Sequence, residues 1–214
     1  MPGLIRSYTR ADRPAVRRIY GMDEFARLHL QQKYPRYGEY LADEMSYYPD
    51  FEPESLFVAE VDGQVVGALL GAVDTGRFEQ VYNQRIRPLL PHHLLRGAYG
   101  WPGWLPAVLH TEWAGRHVQA PKVDRAQFPA HLHIGILPAW RRQGLGTMLM
   151  QRYEDYLRQR GTPGYHLYAS SFHPLGVSFY EKLGLACLGA FDWQLHTGFE
   201  WQSVTERIFA RRLE

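Results

Sequence analysis

The ten residues RRQGLGTMLM, Arg141 to Met150, decide how this chain is read. Two glycines, Gly144 and Gly146, stand one residue apart, behind basic and polar side chains and ahead of a helix-like apolar run. Glycine costs up to about 1 kcal/mol inside a helix, so its use at a helix start implies a backbone that a side chain would obstruct. The first helical turn carries unpaired N–H groups and a partial positive charge, which makes it an anion site. Glycine lets a phosphate approach closely, and Arg141 and Arg142 add charge beside it. The stretch reads as a pyrophosphate cradle, against the plainer alternative of a strand-to-helix turn with incidental glycines. No lysine follows Gly146, so it is not a Walker A loop, and the third glycine of a dinucleotide fingerprint is missing.

Working outward, AHLHIGIL from Ala130 alternates like a strand that Pro138 ends. Gly144 to Gln159 reads as a helix, with Leu145, Met148, Leu149, Arg152, Tyr153 and Tyr156 at helical spacing. Tyr165 to Ser170 is a strand, and Pro174 to Leu183 a helix stopped by Gly184. Cys187 to Asp192 and Glu206 to Arg211 read as closing strands around a loop carrying Trp193, His196, Phe199 and Trp201. Towards the N-terminus, Leu4 to Tyr8 is a strand. Thr9 to Asp12 offers helix caps for Ala15 to Tyr20. Asp23 to Tyr47 is a second helical region, broken near Pro35 and Gly38. Ser55 to Val61 and Gln64 to Val73 form a hairpin about Asp62-Gly63. Residues 75 to 128 interrupt this pattern with aromatics, histidines and prolines. Arg77 to Leu89 suits a helix, and the whole reads as an insertion that forms a lid or one wall of a site.

A chain of 214 residues suits one domain with an elaborate insertion. Its 45% hydrophobic and 21% charged residues allow a sizeable core. A net charge of +2 argues against nucleic acid or a membrane surface as main partner. The single cysteine, Cys187, excludes a disulfide framework. The N-terminus has no apolar core of signal-peptide length. The apolar stretch from Val65 to Val73 falls short of the roughly 20 residues of a membrane span. The expectation is a soluble, cytoplasmic protein, monomer or homodimer. Asp43, Glu44 and Asp50 read as a solvated face.

With these elements placed, ILPAWRRQGLGTMLM resembles motif A of the GNAT superfamily of N-acetyltransferases, in which Arg or Gln is followed at fixed spacing by two small residues. Arg141, Gly144 and Gly146 carry that match. SFYEKLGL, Ser178 to Leu185, resembles motif B through Tyr180 and Gly184, with Leu185 in place of Phe. FPAHLHIGILPAWRRQGLG with SFYEKLGL also resembles the bacterial acetyltransferases related to the C-terminal domain of human O-GlcNAcase, a domain without clear activity. The resemblance spans most of the chain outside residues 75 to 128. It implies an α/β (α+β) fold, with a mixed, mostly antiparallel sheet flanked by helices. A single domain over residues 1 to 214 would carry its insertion between the third and fourth strands.

The resemblance further implies acetyl-CoA as cofactor. Its pyrophosphate would rest on amides of Arg142, Gln143, Gly144, Leu145, Gly146 and Thr147, beside Arg141. Its pantetheine arm would lie along the fourth strand near Ile136 and Leu137. His173 stands where many members have a cofactor-contacting Asn. The implied chemistry is direct acyl transfer to a neutral amine, with Tyr180 protonating the leaving sulfur. His131 and His133 share a strand face and are candidates for the general base. A His-x-His pair on this strand is similar to that of serotonin N-acetyltransferases. Counted back from Arg141, the pair here sits one residue out of step, which leaves a structural role open. No third ligand marks them as a metal site. The expected substrate is a small-molecule amine. The alternatives are a non-catalytic acetyl-CoA- or partner-binding module and a protein lysine or N-terminal acetyltransferase. Tyr99, Trp101, Trp104, Trp113, Trp193 and Trp201 line a pocket or pack a core.

Overall fold

Seven strands form one sheet: β1 (Leu4–Ser7), β2 (Leu56–Val61), β3 (Gln64–Ala72), β4 (Ala130–Ile136), β5 (Gly164–Ser170), β6 (Ala186–His196) and β7 (Trp201–Arg212). Their order across the sheet is β1-β2-β3-β4-β5-β7-β6. The structure, a computed structural model, describes residues 3–21, 30–196 and 200–214. Every neighbouring pair is antiparallel except β4 and β5, which run parallel and pair only at Ala130↔Tyr165 and His131↔His166. The sheet is thus mixed and mostly antiparallel, as expected. Asp62 and Gly63 take φ of 50° and 75°, the left-handed pair that turns a tight hairpin between β2 and β3.

The helices in chain order are α1 (Arg13–Tyr20), α2 (Leu30–Lys33), α3 (Tyr37–Glu44), α4 (Tyr47–Phe51), α5 (Thr75–Val81), α6 (Leu89–Leu95), α7 (Leu105–Gly115), α8 (Leu145–Gln159) and α9 (Pro174–Lys182). Alternation along the strands sends apolar side chains to both faces. One face packs Leu132, Leu167 and Phe209 against Leu149, Tyr153 and Tyr180 of α8 and α9. The Tyr153 hydroxyl lies 3.1 Å from the Ala72 carbonyl and 3.0 Å from the His131 carbonyl, with one proton to share between them, and ties α8 across β3 and β4. The other face packs Val58, Ala68 and Leu70 against Val16 and Ile19 of α1 and Tyr47 and Tyr48 of α4. Each large apolar side chain removed from water in this way contributes about 1.5–3 kcal/mol.

Residues 75 to 128 build a third core. Leu90, Tyr99, Trp104 and Ala107 pack with Leu30 and Tyr37. Tyr99 and Trp104 are therefore core, while Trp101 is 80% and Trp113 61% exposed. The helix expected over Arg77 to Leu89 begins at Thr75, because the Asp74 carboxylate accepts from the N–H groups of Gly76 and Arg77. It passes into a π-helical turn, Tyr82–Ile86, ahead of Pro88.

Other expectations need correction. The closing strands are longer than their sequence pattern, since β6 and β7 pair without a break from Gly189↔Ile208 to His196↔Trp201. Trp193, His196 and Trp201 lie in strands rather than a loop, and Phe199 lies outside the described residues. The break expected near Pro35 separates α2 from α3, whereas Gly38 lies inside α3, and the expected helix over Asp23 to Tyr47 falls partly outside the described residues.

Candidate functional site

The turn after β4 is shaped by its backbone. Arg142 and Gly144 have φ of 63° and 82°, both left-handed. Left-handed residues in such a turn aim successive N–H groups into one concavity that suits an anion. Glycine adopts this conformation freely, whereas Arg142 is strained by roughly 1–2 kcal/mol. A Cβ on Gly144 would meet nothing within 4 Å, so the space ahead of the turn is open. α8 starts at Leu145, and Met148 N–H is the first to return to the Gly144 carbonyl, at 3.1 Å. The amides of Leu145, Gly146 and Thr147 have no helical carbonyl to reach. These groups fit a pyrophosphate.

The two glycines differ. A Cβ on Gly146 would lie 3.1 Å from Phe179 Cζ and 3.5 Å from Ile136 Cδ1. Gly146 lets α8 pack closely against α9 and β4, and Gly144 shapes the cradle. Arg141 turns its Nε back to the Ile136 carbonyl at 3.0 Å, and Gln143 Nε2 donates to the Ala139 carbonyl at 3.3 Å.

Beside the cradle, β4 and β5 part. Leu137 N–H donates to the Val66 carbonyl at 2.9 Å, so His133, Gly135 and Leu137 aim their backbone groups at β3. Ile134 and Ile136 then aim theirs into the gap, where an extended amide-bearing chain could pair with them. Leu137, expected beside them, already uses its N–H on β3. β3 and β4 pair without a register shift, so no bulge disturbs this alternation.

The face of the gap opposite α8 carries His131 and His133 from β4 and His166 and Tyr168 from β5. His133 and Tyr168 are exposed, whereas His131 and His166 are buried. The His131 ring lies 6.1 Å from His133 and 6.0 Å from His166. Its tautomer follows from its partners. Thr75 Oγ1 donates its one proton to the Pro129 carbonyl at 2.7 Å. The same oxygen, 2.9 Å from His131 Nδ1, must then accept, which places the proton on Nδ1. His131 Nε2 therefore accepts from the Tyr48 hydroxyl at 2.9 Å. Burial lowers the His131 pKa well below its usual value, with His133 and His166 adding repulsion. Both its nitrogens are engaged within the fold. Among the described residues, no group of three or more His, Cys, Asp or Glu is placed to hold a metal ion.

Tyr180 lies on α9 with its ring 5.7 Å from Phe209 and 5.2 Å from Phe179. Burial raises its pKa, so its hydroxyl stays protonated at neutral pH. His173 precedes α9, and its backbone carbonyl accepts from Gly176 N–H at 2.7 Å.

The sequence reading missed Tyr168. Alternation in YHLYAS pairs it with His166 on one face, but only the β4–β5 pairing shows that this face borders the gap. It also took Asp43, Glu44 and Asp50 for one solvated face. Instead Asp43 pairs with Arg17 and His93, Asp50 pairs with Arg13, and Glu44 turns inward against Tyr40 and Tyr82. No helix among the described residues is long and apolar enough to cross a membrane.

Comparison with known proteins gives a consistent answer. The model of the Acetyltransferase (GNAT) family matches residues 22–185. A mycothiol acetyltransferase of Renibacterium salmoninarum is 31% identical over 109 residues, which cover 48% of this chain and 30% of that protein. The match thus spans under a third of that curated relative. The solved structure of SsHAT superposes over 100% of both chains, with TM-score 0.70 and 26% identity. That of yncA from Salmonella typhimurium, determined with its cofactor acetyl-CoA, gives TM-score 0.55 and 17% identity over 100% of this chain and 95% of its own. The ribosomal-protein-alanine N-acetyltransferase of Brucella melitensis gives TM-score 0.59 and 15% identity over 98% and 99%.

Proposed function

This chain belongs to the GNAT acetyltransferase family, and from that premise we propose that it acetylates a primary amine of a small molecule by direct transfer from acetyl-CoA. Membership makes it an acyltransferase that works with acetyl-CoA. The observation that carries the reading is the gap between β4 and β5, which opens directly beside the left-handed turn at Gly144.

When bound, acetyl-CoA supplies an activated acetyl thioester. Arg142 to Thr147 would hold its phosphates through backbone amides, and Ile134 and Ile136 would offer backbone groups to its extended arm. The Ile134 N–H faces the gap, where it would steady negative charge at the reacting carbonyl. His133, exposed on the opposite face, removes the proton from the attacking amine. His131 does not compete for this task, because its Nε2 lone pair already accepts from Tyr48. Tyr180 keeps its proton and would give it to the leaving sulfur. α7 lies against the edge strand β6, where His196 N–H donates to Thr111 Oγ1 at 3.3 Å, and Phe78 of the insertion meets the His131 ring at 4.7 Å on the face that carries His133. An insertion packed on that face favours a small acceptor over an open peptide groove.

The test is calorimetry with acetyl-CoA, followed by a thiol-release assay over small amines and peptides. Binding with thiol release on small primary amines is expected. Release with peptides alone would replace the small-molecule reading by protein acetylation. Tyr180→Phe should lower kcat by roughly 10²-fold while acetyl-CoA affinity holds. Equal turnover would remove Tyr180 as the acid.

A further inference from the structure

Tyr168 is the one exposed residue of β5, which is otherwise buried from Gly164 to Ser170. β5 is an interior strand, flanked by β4 and β7. Alternation puts His166, Tyr168 and Ser170 on one face, and Ile208 of β7 stands opposite Tyr168. His166 is 3%, Ser170 5% and Ile208 0% exposed, whereas Tyr168 is 50% exposed. The opening at Tyr168 is therefore local. It is closed along β5 in both directions and towards β7, and it faces β4, on the side where the two strands have parted.

His133 stands on the facing lip. The last paired row is His131↔His166, and His133 and Tyr168 each follow it by two residues, on the same face. Four rings trace the edge of the gap. His133 lies 6.1 Å from His131, His131 6.0 Å from His166, and His166 5.9 Å from Tyr168. The two middle rings are buried and close the base, while the two outer rings are exposed and form the sides. Edge-to-face neighbours fix the planes of both sides. Tyr168 meets His166 at 82° and Phe191 at 78°, and His133 meets His131 at 86° and Tyr48 at 74°. Among the described residues no ring stacks flat on Tyr168, and half of its surface stays open to one.

We propose that Tyr168 is a specificity-determining residue for the acceptor, and that the preferred amine carries an aromatic ring, a short chain away from its nitrogen, which packs on the ring of Tyr168. The inference rests on the amine-transfer reading above. With His133 taking the proton of the attacking nitrogen on one side of the gap, the carbon skeleton behind that nitrogen passes the other side, which is Tyr168. A flat group there gains offset-stacked or edge-to-face ring contact in addition to buried area. A saturated ring of similar size gains the area alone. The side chain acts through its ring, so its hydroxyl is dispensable for this preference.

The test compares 2-phenylethylamine and 3-phenylpropylamine with their cyclohexyl counterparts, measuring acetylation by thiol release and direct binding to the coenzyme A complex by calorimetry. The native chain should favour one aromatic amine over its saturated match by roughly tenfold in kcat/KM. Tyr168→Phe, which keeps the ring, should keep that ratio. Tyr168→Leu should bring it close to one, mainly by raising KM for the aromatic amine, with acetyl-CoA affinity retained as the check on folding. A merely structural tyrosine would alter both amines alike and leave the ratio unmoved. Equal use of aromatic and saturated amines by the native chain, an undiminished preference in Tyr168→Leu, or a preference lost already in Tyr168→Phe would overturn the inference and leave amine transfer standing. Aromatic amine binding that Tyr168→Leu loses, with no acetylation of any amine, would keep the ring contact and overturn the transfer reading. Neither binding nor acetylation of any amine would overturn both.

Discussion

The turn after β4 and the insertion ahead of β4 are built by opposite means. The turn is a matter of backbone: two left-handed residues, a glycine with open space before it, and helix amides without carbonyl partners. The insertion is a matter of side chains. Trp104 lies 1% exposed, with rings of Tyr37, Tyr40 and Tyr99 at 5.2, 4.9 and 6.1 Å. A cofactor common to many enzymes can be held by main-chain groups that tolerate varied sequences. An acceptor particular to one enzyme is recognised by side chains, and those need a packed support.

That contrast can be broken from either side. The largest effect should come from Trp104→Ala, which empties the centre of the insertion core and should cost about 3–5 kcal/mol in urea unfolding. Acetyl-CoA affinity should survive it. A parallel loss of cofactor binding would show that the two regions are one unit. Gly144→Glu should act in reverse. It forces a side chain into a left-handed position and a negative charge into the cradle, so acetyl-CoA binding should weaken by roughly 100-fold or more. Because a Cβ there touches nothing, the loss of stability should be limited to the left-handed strain, roughly 1–2 kcal/mol. Unchanged affinity in calorimetry would refute the cradle.

The seam between the regions should respond to pH more gently. His131 and His166 both have lowered pKa values, chiefly through burial. Above about pH 6.5 both are neutral in the folded and unfolded chains, and they make stability no steeper. Below that value the unfolded chain binds protons that the folded chain refuses. Stability should then fall with pH, by up to about 1.4 kcal/mol per unit for each histidine. Urea midpoints from pH 7.5 to 5 measure the slope. His131→Gln should flatten it, and an unaltered slope would mean that His131 titrates alike in both states.

Much of the fold was legible because it is local. Asp62-Gly63 turns its hairpin with the φ values those residues favour, and the strand, glycine turn and helix from Ala130 to Gln159 follow from adjacent residues. The long β6–β7 hairpin was not legible, since its outer half alternates weakly and is fixed by pairing, with Trp193 opposite Val204 and His196 opposite Trp201. Within the site, the sequence placed His131 and His133 on one face but not their difference. That difference arises from Tyr48 and Thr75, which reach His131 from far along the chain.

The sequence by itself determined the left-handed glycine turn, the helix behind it and the family to which they belong, because each depends on residues within a few positions of one another. Tertiary structure alone decided that Gly146 serves packing while Gly144 shapes the cradle. It alone set the His131 tautomer and brought Glu44 against the hydroxyls of Tyr40 and Tyr82. The physical reason is that backbone conformation is chosen locally. Burial, proton position and the presence of a counter-ion are properties of neighbours that only folding brings together.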